Sequence, residues 1–234
     1  KAAKELHEID SIYPGRILGL ATHVGSFADP YPGYGGSPST AFLADYQTAA
    51  GTEYDDFFGA STFGLPQGMF NRKDYNDVTQ DHLKFYPNWK TYAASIIAEP
   101  SVVDLQMIAD YDTATRKICL AVKSTFLSSM SGEFKLVILL TQDSIIDWQD
   151  NQGTIQANYL HRHMLRDAIN GAWGDVMATG SLTTGTTNTK RFAYTIPEEY
   201  NTIPFDDHHG HILAFLYNTA THEIIQSEEV DLIP

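Results

Sequence analysis

The run Val102-Val-Asp-Leu-Gln-Met-Ile-Ala-Asp-Tyr-Asp112 sets Val103, Leu105, Met107, Ala109 and Tyr111 on one side of an extended chain. A period of two is the mark of a half-buried strand, because successive side chains point to opposite faces. Asp112-Thr-Ala-Thr115 then supplies turn formers. Lys117-Ile-Cys-Leu-Ala-Val-Lys-Ser-Thr-Phe-Leu127 returns with Ile118, Leu120 and Val122 on the inner side. Further strand-like runs follow at 134–142, 190–196, 211–217 and 221–232, the last two joined by a tight turn at 218–220. Six or so strands with polar turns and almost no helix predict an antiparallel sandwich. Its expected core is Leu105, Met107, Leu120, Val122, Leu136, Ile138, Leu213 and Phe215, all at alternating positions.

Upstream of Pro100 the period changes. Asn88 precedes a segment in which Trp89, Tyr92, Ala93, Ile96 and Ile97 follow helical spacing, and Glu99-Pro100 stops it. Thr48 is suited to cap a second helix, with Tyr54, Phe57 and Phe58 expected inward and Gly59 at its C-terminal end. Residues 1–10 place Ala2, Leu6 and Ile9 on one helical face, while 16–24 and 67–72 read as short strands. Between them, 25–39 holds four Gly and three Pro without periodicity, an irregular loop. Helices alternating with strands predict an α/β layer arrangement. The chain is therefore expected to divide near Pro100 into an α/β part, 1–99, and an all-β part, 100–234.

The 234 residues are 43% hydrophobic and 19% charged, ordinary values for a globular chain with ample core. Fifteen basic against 29 acidic side chains leave a net charge of −14, which repels a phosphate backbone and argues against nucleic acid as a partner. The longest apolar run, 136–140, is far too short to span a bilayer, so membrane association needs an anchor outside these residues. Cys119 is the one cysteine, which rules out an intrachain disulfide and a cysteine zinc site. It falls on the strand face opposite Ile118 and Leu120 and reads as a small packing residue, placed against the first part of the chain. No Gly-x-Ser-x-Gly and no phosphate loop is present.

Three constellations merit weighing. His161 and His163 would share one face of a strand, as a chelating pair requires, but lack a carboxylate partner. Asp206-Asp-His-His-Gly-His211 brings His208, His209 and His211 together with two carboxylates, a set that can hold a transition metal. It lies among turn formers, where solvated Asp and His are common, so a solvated loop is the preferred account and no metal or other cofactor is expected. Tyr31 and Tyr34, with Phe27, sit in the Gly/Pro-rich loop, where aromatic rings either stack on a sugar or peptide or pin the loop to its own domain.

Three longer runs, Ile17-Leu-Gly-Leu-Ala-Thr-His-Val-Gly-Ser-Phe27, Gly64-Leu-Pro-Gln-Gly-Met-Phe-Asn-Arg-Lys-Asp74 and Tyr159-Leu-His-Arg-His-Met-Leu-Arg166, resemble the outer-membrane-protein-28-related family, surface or periplasmic lipoproteins of Gram-negative bacteria. The likeness extends along the whole chain. It implies a thioredoxin-like α/β domain over 1–99 followed by an immunoglobulin-like β-sandwich over 100–234. In the family a first strand and a Cys-x-x-Cys-Pro segment precede the helix that here begins at Lys1. Set beside that dithiol, His23 would tune a thiolate, with a loop-anchoring histidine as the simpler account, and the Leu65–Pro66 bond would be cis. The function implied is an outer-membrane-associated binding or accessory lipoprotein with no self-contained catalytic site, a partner of protein, peptide or glycan nature, and a place that could be within a larger outer-membrane complex. The rival is a thiol–disulfide oxidoreductase whose dithiol lies upstream of Lys1. His23, Tyr31, Tyr34 and Pro66 are the ligand-binding candidates.

Overall fold

The computed structural model describes residues 2–76, 82–151 and 153–233. Four helices come first: α1 (Ala2–Ile12), α2 (Ala49–Phe58), α3 (Ala60–Phe63) and α4 (Trp89–Ile97). Lys1, where the sequence pattern starts the first helix, lies outside the described residues. α2 begins where the Thr48 side-chain oxygen accepts the Gly51 N–H at 3.0 Å, and ends at Gly59, whose φ of 75° only glycine adopts without strain. Its Tyr54 and Phe58 are buried as expected, but Phe57 is 53% exposed. In this part of the chain the strands β1 (Gln67–Gly68) and β2 (Lys84–Phe85) pair over two residues only.

Both strand expectations upstream of Pro100 need correcting. Segment 16–24 is extended, yet it meets its neighbours through single parallel bridges, Ala21 with Met164 and His23 with Gln47. A five-residue edge strand and a loop flank it, and each offers one residue to pair with. Segment 67–72 stops being a strand after Gly68, because Asn71 and Arg72 both have φ near 50° and turn the backbone away. The Leu65–Pro66 bond is cis.

From residue 103 onward strands dominate. β3 (Val103–Asp112), β4 (Lys117–Phe126) and β10 (Thr187–Thr195) form an antiparallel sheet of order β10-β4-β3. β5 (Met130–Gln142), β8 (Met164–Ala168), β9 (Asp175–Leu182), β13 (Gly210–Asn218) and β14 (Ile224–Asp231) form the second sheet. The hairpin β6 (Ile145–Asn151) and β7 (Thr154–His161) and the short ribbon β11 (Glu199–Tyr200) and β12 (Ile203–Pro204) lie outside both. β8 and β9 share one edge of β5, on its second and first halves respectively. Where the edge passes from one to the other, Asn170 stands in for a strand: its Oδ1 accepts the Ile138 N–H and its Nδ2 donates to the Leu136 carbonyl. Gly174 follows with φ 63°, at a point where a Cβ would lie 2.1 Å from the Leu136 oxygen.

The two sheets form a sandwich. Leu105 and Met107 of β3, Leu120 and Val122 of β4, Leu136 and Ile138 of β5, and Ile212, Ala214 and Leu216 of β13 meet between them. All eight residues expected in the core are buried, but Leu213 and Phe215 belong to a different layer. With Val137, Leu139 and Tyr217 they project from the outer face of the second sheet and pack against Ala50, Tyr54 and Phe58 of α2. The run at 211–217 is apolar on both faces, so a period of two cannot tell one side from the other. α1 and α4 bury Ile9, Trp89 and Ala93 between them. The edges of the sandwich are tied where the Gln226 amide donates to the Val103 carbonyl. Cys119 is exposed on the outer face of the three-stranded sheet, not packed as expected.

If the outer face of the second sheet is a true core, Phe215→Ala should lower unfolding free energy by about 3–5 kcal/mol. Ile108→Ala, at a side chain 74% exposed on β3, should change it by less than about 0.5 kcal/mol. Urea unfolding followed by circular dichroism compares the two, and equal costs would contradict the layer assignment.

Candidate functional site

The loop that follows His23 is laid over the β6–β7 hairpin and held there by side chains. The Tyr34 hydroxyl donates to Asp150 at 3.1 Å and the Tyr46 hydroxyl to Asp147 at 2.7 Å, two carboxylates of β6. Within the loop, the Tyr31 N–H donates to the Phe42 carbonyl and the Gln47 amide to Asp29, both at 2.9 Å. Gly35, at φ 62°, sits against Ile155 of β7, whose Cδ1 would lie 3.1 Å from an added Cβ. The result is a continuous row of rings: Tyr31 to Tyr34 at 5.6 Å, Tyr34 to Phe42 at 5.6 Å, Phe42 to Trp148 at 6.0 Å between centroids. Tyr31 is 64% exposed and Phe27, in the same loop, 88%. Tyr34 pins the loop, and Tyr31 and Phe27 face solvent.

His23 stands at the inner end of this loop. Its ring lies 5.7 Å from Tyr46 and 6.0 Å from His161, and Tyr46 to His161 is 5.8 Å, a closed triangle of rings. The His23 Nδ1 and the His161 Nε2 are buried without a hydrogen-bond partner. Burial, with a smaller contribution from His161, pushes the His23 imidazole down to about 4. Burial likewise lowers His161, against the pull of Asp147. Tyr46 is pushed up by burial and by its bond to Asp147. Two neutral imidazoles therefore meet at the junction of the loop and β7.

His161 and His163 do not share a face. β7 ends at His161, and His163 takes φ 57° in the turn to β8, where its N–H donates to Asp143. The residues at 206–211 separate as well. Asp206 caps the short turn Asp207–His209 through the His208 N–H, and His208 and His209 stand in solvent. His211 instead pairs with Asp231 across β13 and β14 at 2.9 Å. Among the described residues no three His, Cys, Asp or Glu side chains converge as a metal site. Pro66 is exposed, between Leu65 and Gln67, which line a large cavity on the helical side of the second sheet.

The residue that the sequence patterns missed is Arg72, 4% exposed. Its guanidinium carbon sits 4.3 Å above the Tyr54 ring, 4.7 Å from Phe215, 5.4 Å from Phe58 and 5.7 Å from Trp173. Its Nη1 has no hydrogen-bond partner. Among the described residues no carboxylate pairs with it; Glu99 and Glu223 pair with the neighbouring Lys73. Burial pulls its pKa below the usual guanidinium value. The available signal was its place in the run 64–74, where nothing but a resemblance marks it.

The family model described as outer membrane protein Omp28 matches residues 52–232, which include Arg72, the hairpin and the whole sandwich. The chain belongs to the Omp28 family. Membership places this Omp28-family chain at the outer membrane of a Gram-negative bacterium. Its first helix, the segment with His23 and the loop with Tyr31 precede the matched residues. A comparison with curated proteins found no match. Among solved structures, a domain of the outer membrane lipoprotein Omp28 from Porphyromonas gingivalis is 20% identical, with a TM-score of 0.40, 57% of this chain and 89% of that one being covered. The sporulation control protein Spo0M of Bacillus subtilis is 11% identical at a TM-score of 0.33, with 56% and 47% covered. The alkylpurine DNA glycosylase AlkC of Pseudomonas fluorescens, solved on DNA with an abasic-site analogue, is 11% identical at 0.27, with 61% and 34% covered.

His23 and His161 make stability pH-dependent. Unfolded, both imidazoles take up protons near pH 6.5. Folded, they stay neutral to lower pH, so below about 6.5 the unfolded state binds more protons and stability falls as the pH drops towards 4. For His23 the loss is roughly 3 kcal/mol across that window. The wild-type advantage over His23→Gln, measured by urea unfolding at pH 7 and pH 4, should shrink by about that amount. A difference that does not change with pH would contradict the burial of a neutral imidazole.

Proposed function

We propose that this chain is a non-catalytic accessory protein of the outer membrane that captures a glycan on the aromatic row of its first loop. The observation that carries it is the row Tyr31–Tyr34–Phe42–Trp148, whose outer member is open to solvent while its inner members are fixed to β6. Sugar rings present apolar C–H faces to aromatic planes and hydroxyl donors at their edges. Asp150 beneath Tyr34 and Asp29 beside Gln47 supply acceptors along the rim. Anchoring through Tyr34 and Tyr46 means that little loop entropy is lost on binding, which favours a rigid platform over an adaptable one. An acidic chain with such a rim discriminates against anionic glycans and favours neutral or amino sugars.

In the same reading the sandwich is immunoglobulin-like and the helical part thioredoxin-like, divided near Pro100. Two antiparallel sheets packed face to face from Val103 onward support the first description. The resemblance in 17–27 and 64–74 supports the second.

Glycan-array binding of the intact chain tests the proposal. Saturable binding to neutral or amino sugars is expected, and Tyr31→Ala should weaken it about five- to tenfold, for the loss of one stacking contact of roughly 1 kcal/mol. The melting temperature of that variant should stay unchanged, because Tyr31 is exposed. No binding to any glycan, or equal binding by Tyr31→Ala, would overturn it.

A further inference from the structure

Arg72 shares no ring with the aromatic row, and its site stands or falls independently of the glycan proposal. A guanidinium cannot shed its proton in a protein, so burial does not neutralise it as it does a histidine. Four rings around Arg72 offer their negative faces, which compensates for part of the lost hydration. Rings accept no hydrogen bond in the plane of the fork, however, and Nη1 remains without a partner. The backbone is committed to this placement. Asn71 and Arg72 are consecutive left-handed residues, a conformation costly for side chains with a Cβ. The turn is locked by the Ile224 N–H donating to the Asn71 carbonyl and by His82 Nδ1 on the Arg72 carbonyl, each at 2.7 Å.

Arg72 also lines a cavity of about 940 Å³ between the helical layer and the second sheet. Next to the cage its walls are Leu20, Met69, Leu83, Leu213, Phe215 and Ile224, while Asp55, Glu99, Glu223, Glu228 and Glu229 lie elsewhere on its lining. That space is at the upper end of what ligand sites occupy, and far larger than an inorganic anion needs. A net charge of −14 gives no general attraction for anions, so an anion held here is held by local chemistry.

We propose that Arg72 anchors the head of an amphipathic anion, a carboxylate or phosphate carried on an acyl chain, with the chain lying along the apolar wall of the adjoining cavity. The head accepts from the guanidinium beside the Tyr54 ring, and the chain runs along Leu213 and Ile224.

The test uses the intact chain and its own tryptophans, since Trp173 stands 5.7 Å from the guanidinium and Trp89 lines the cavity. Laurate represents a free fatty acid, lysophosphatidic acid a lipid head, and dodecanol an uncharged chain, all below their micellar concentrations. The expected result is a saturable emission change and a raised melting temperature with laurate or lysophosphatidic acid, whichever of the two is the native chemistry binding more tightly, and at least tenfold weaker binding of dodecanol. Arg72→Met should erase that preference, and Arg72→Lys should keep part of it. Should Arg72→Met fail to fold, the laurate-to-dodecanol comparison on the unaltered chain decides alone. No saturable response to either anion, equal binding of dodecanol, or an unchanged laurate affinity in folded Arg72→Met would overturn the proposal and leave Arg72 as a structural clasp.

Discussion

The rest of the structure depends on β5 and β13 lying side by side with apolar side chains on both faces. Their register runs from Gly210 opposite Gln142 to Asn218 opposite Phe134, and every position from Leu136 to Leu140 on β5 and from Ile212 to Tyr217 on β13 is buried. A sheet of this composition cannot leave either face in water. One face is covered by β3, β4 and β10, which makes the sandwich. The other is covered by α2 and the segments around it, which makes that layer part of the same hydrophobic structure, while α1 and α4 keep a cluster of their own. Backbone bonds join them too, as Ala21 donates to His163 and accepts from Leu165 at the end of β8.

That second interface is where the fold tolerates polar and unpaired groups. Arg72 is enclosed between α2 and β13, with a buried cation whose dehydration costs on the order of several kcal/mol. His23 and His161 are held neutral where the loop meets β7. The sandwich has buried polar groups of its own, among them Ser124 of β4 and the Arg166–Gln142 pair.

How much of this could be read from sequence follows from how many faces each strand buries. β3 and β4 bury one face, so Leu105, Met107, Leu120 and Val122 were legible with their direction. β13 buries both, so Leu213 and Phe215 were legible as buried but not as facing α2. β9 reads Asp-Val-Met-Ala-Thr-Gly-Ser-Leu, with Gly180 at φ 90° and a bulge opposite Phe134 and Lys135, and carries no usable period. The hairpin β6–β7 is buried only at Ile145 and His161, shows no alternation, and was equally silent. Of the site residues, Tyr31 and Tyr34 stood out because a Gly/Pro-rich loop has no core reason to hold aromatics. His23 was marked by its neighbourhood, and its partners Tyr46 and His161 came from 23 and 138 positions away. Arg72 was invisible because its surroundings assemble only in three dimensions, from α2, β13 and the turn at Trp173.

The central claim is that the helical layer and the sandwich share one core through the outer face of the second sheet. Residue-resolved amide hydrogen exchange under native conditions measures it directly. The amides of α2 around Tyr54 and those of β13 from Leu213 to Phe215 should exchange together, at the slow rate set by global unfolding. Exchange in α2 that is orders of magnitude faster than in β13, with β13 still fully protected, would show instead that the helices sit on a sheet that does not need them.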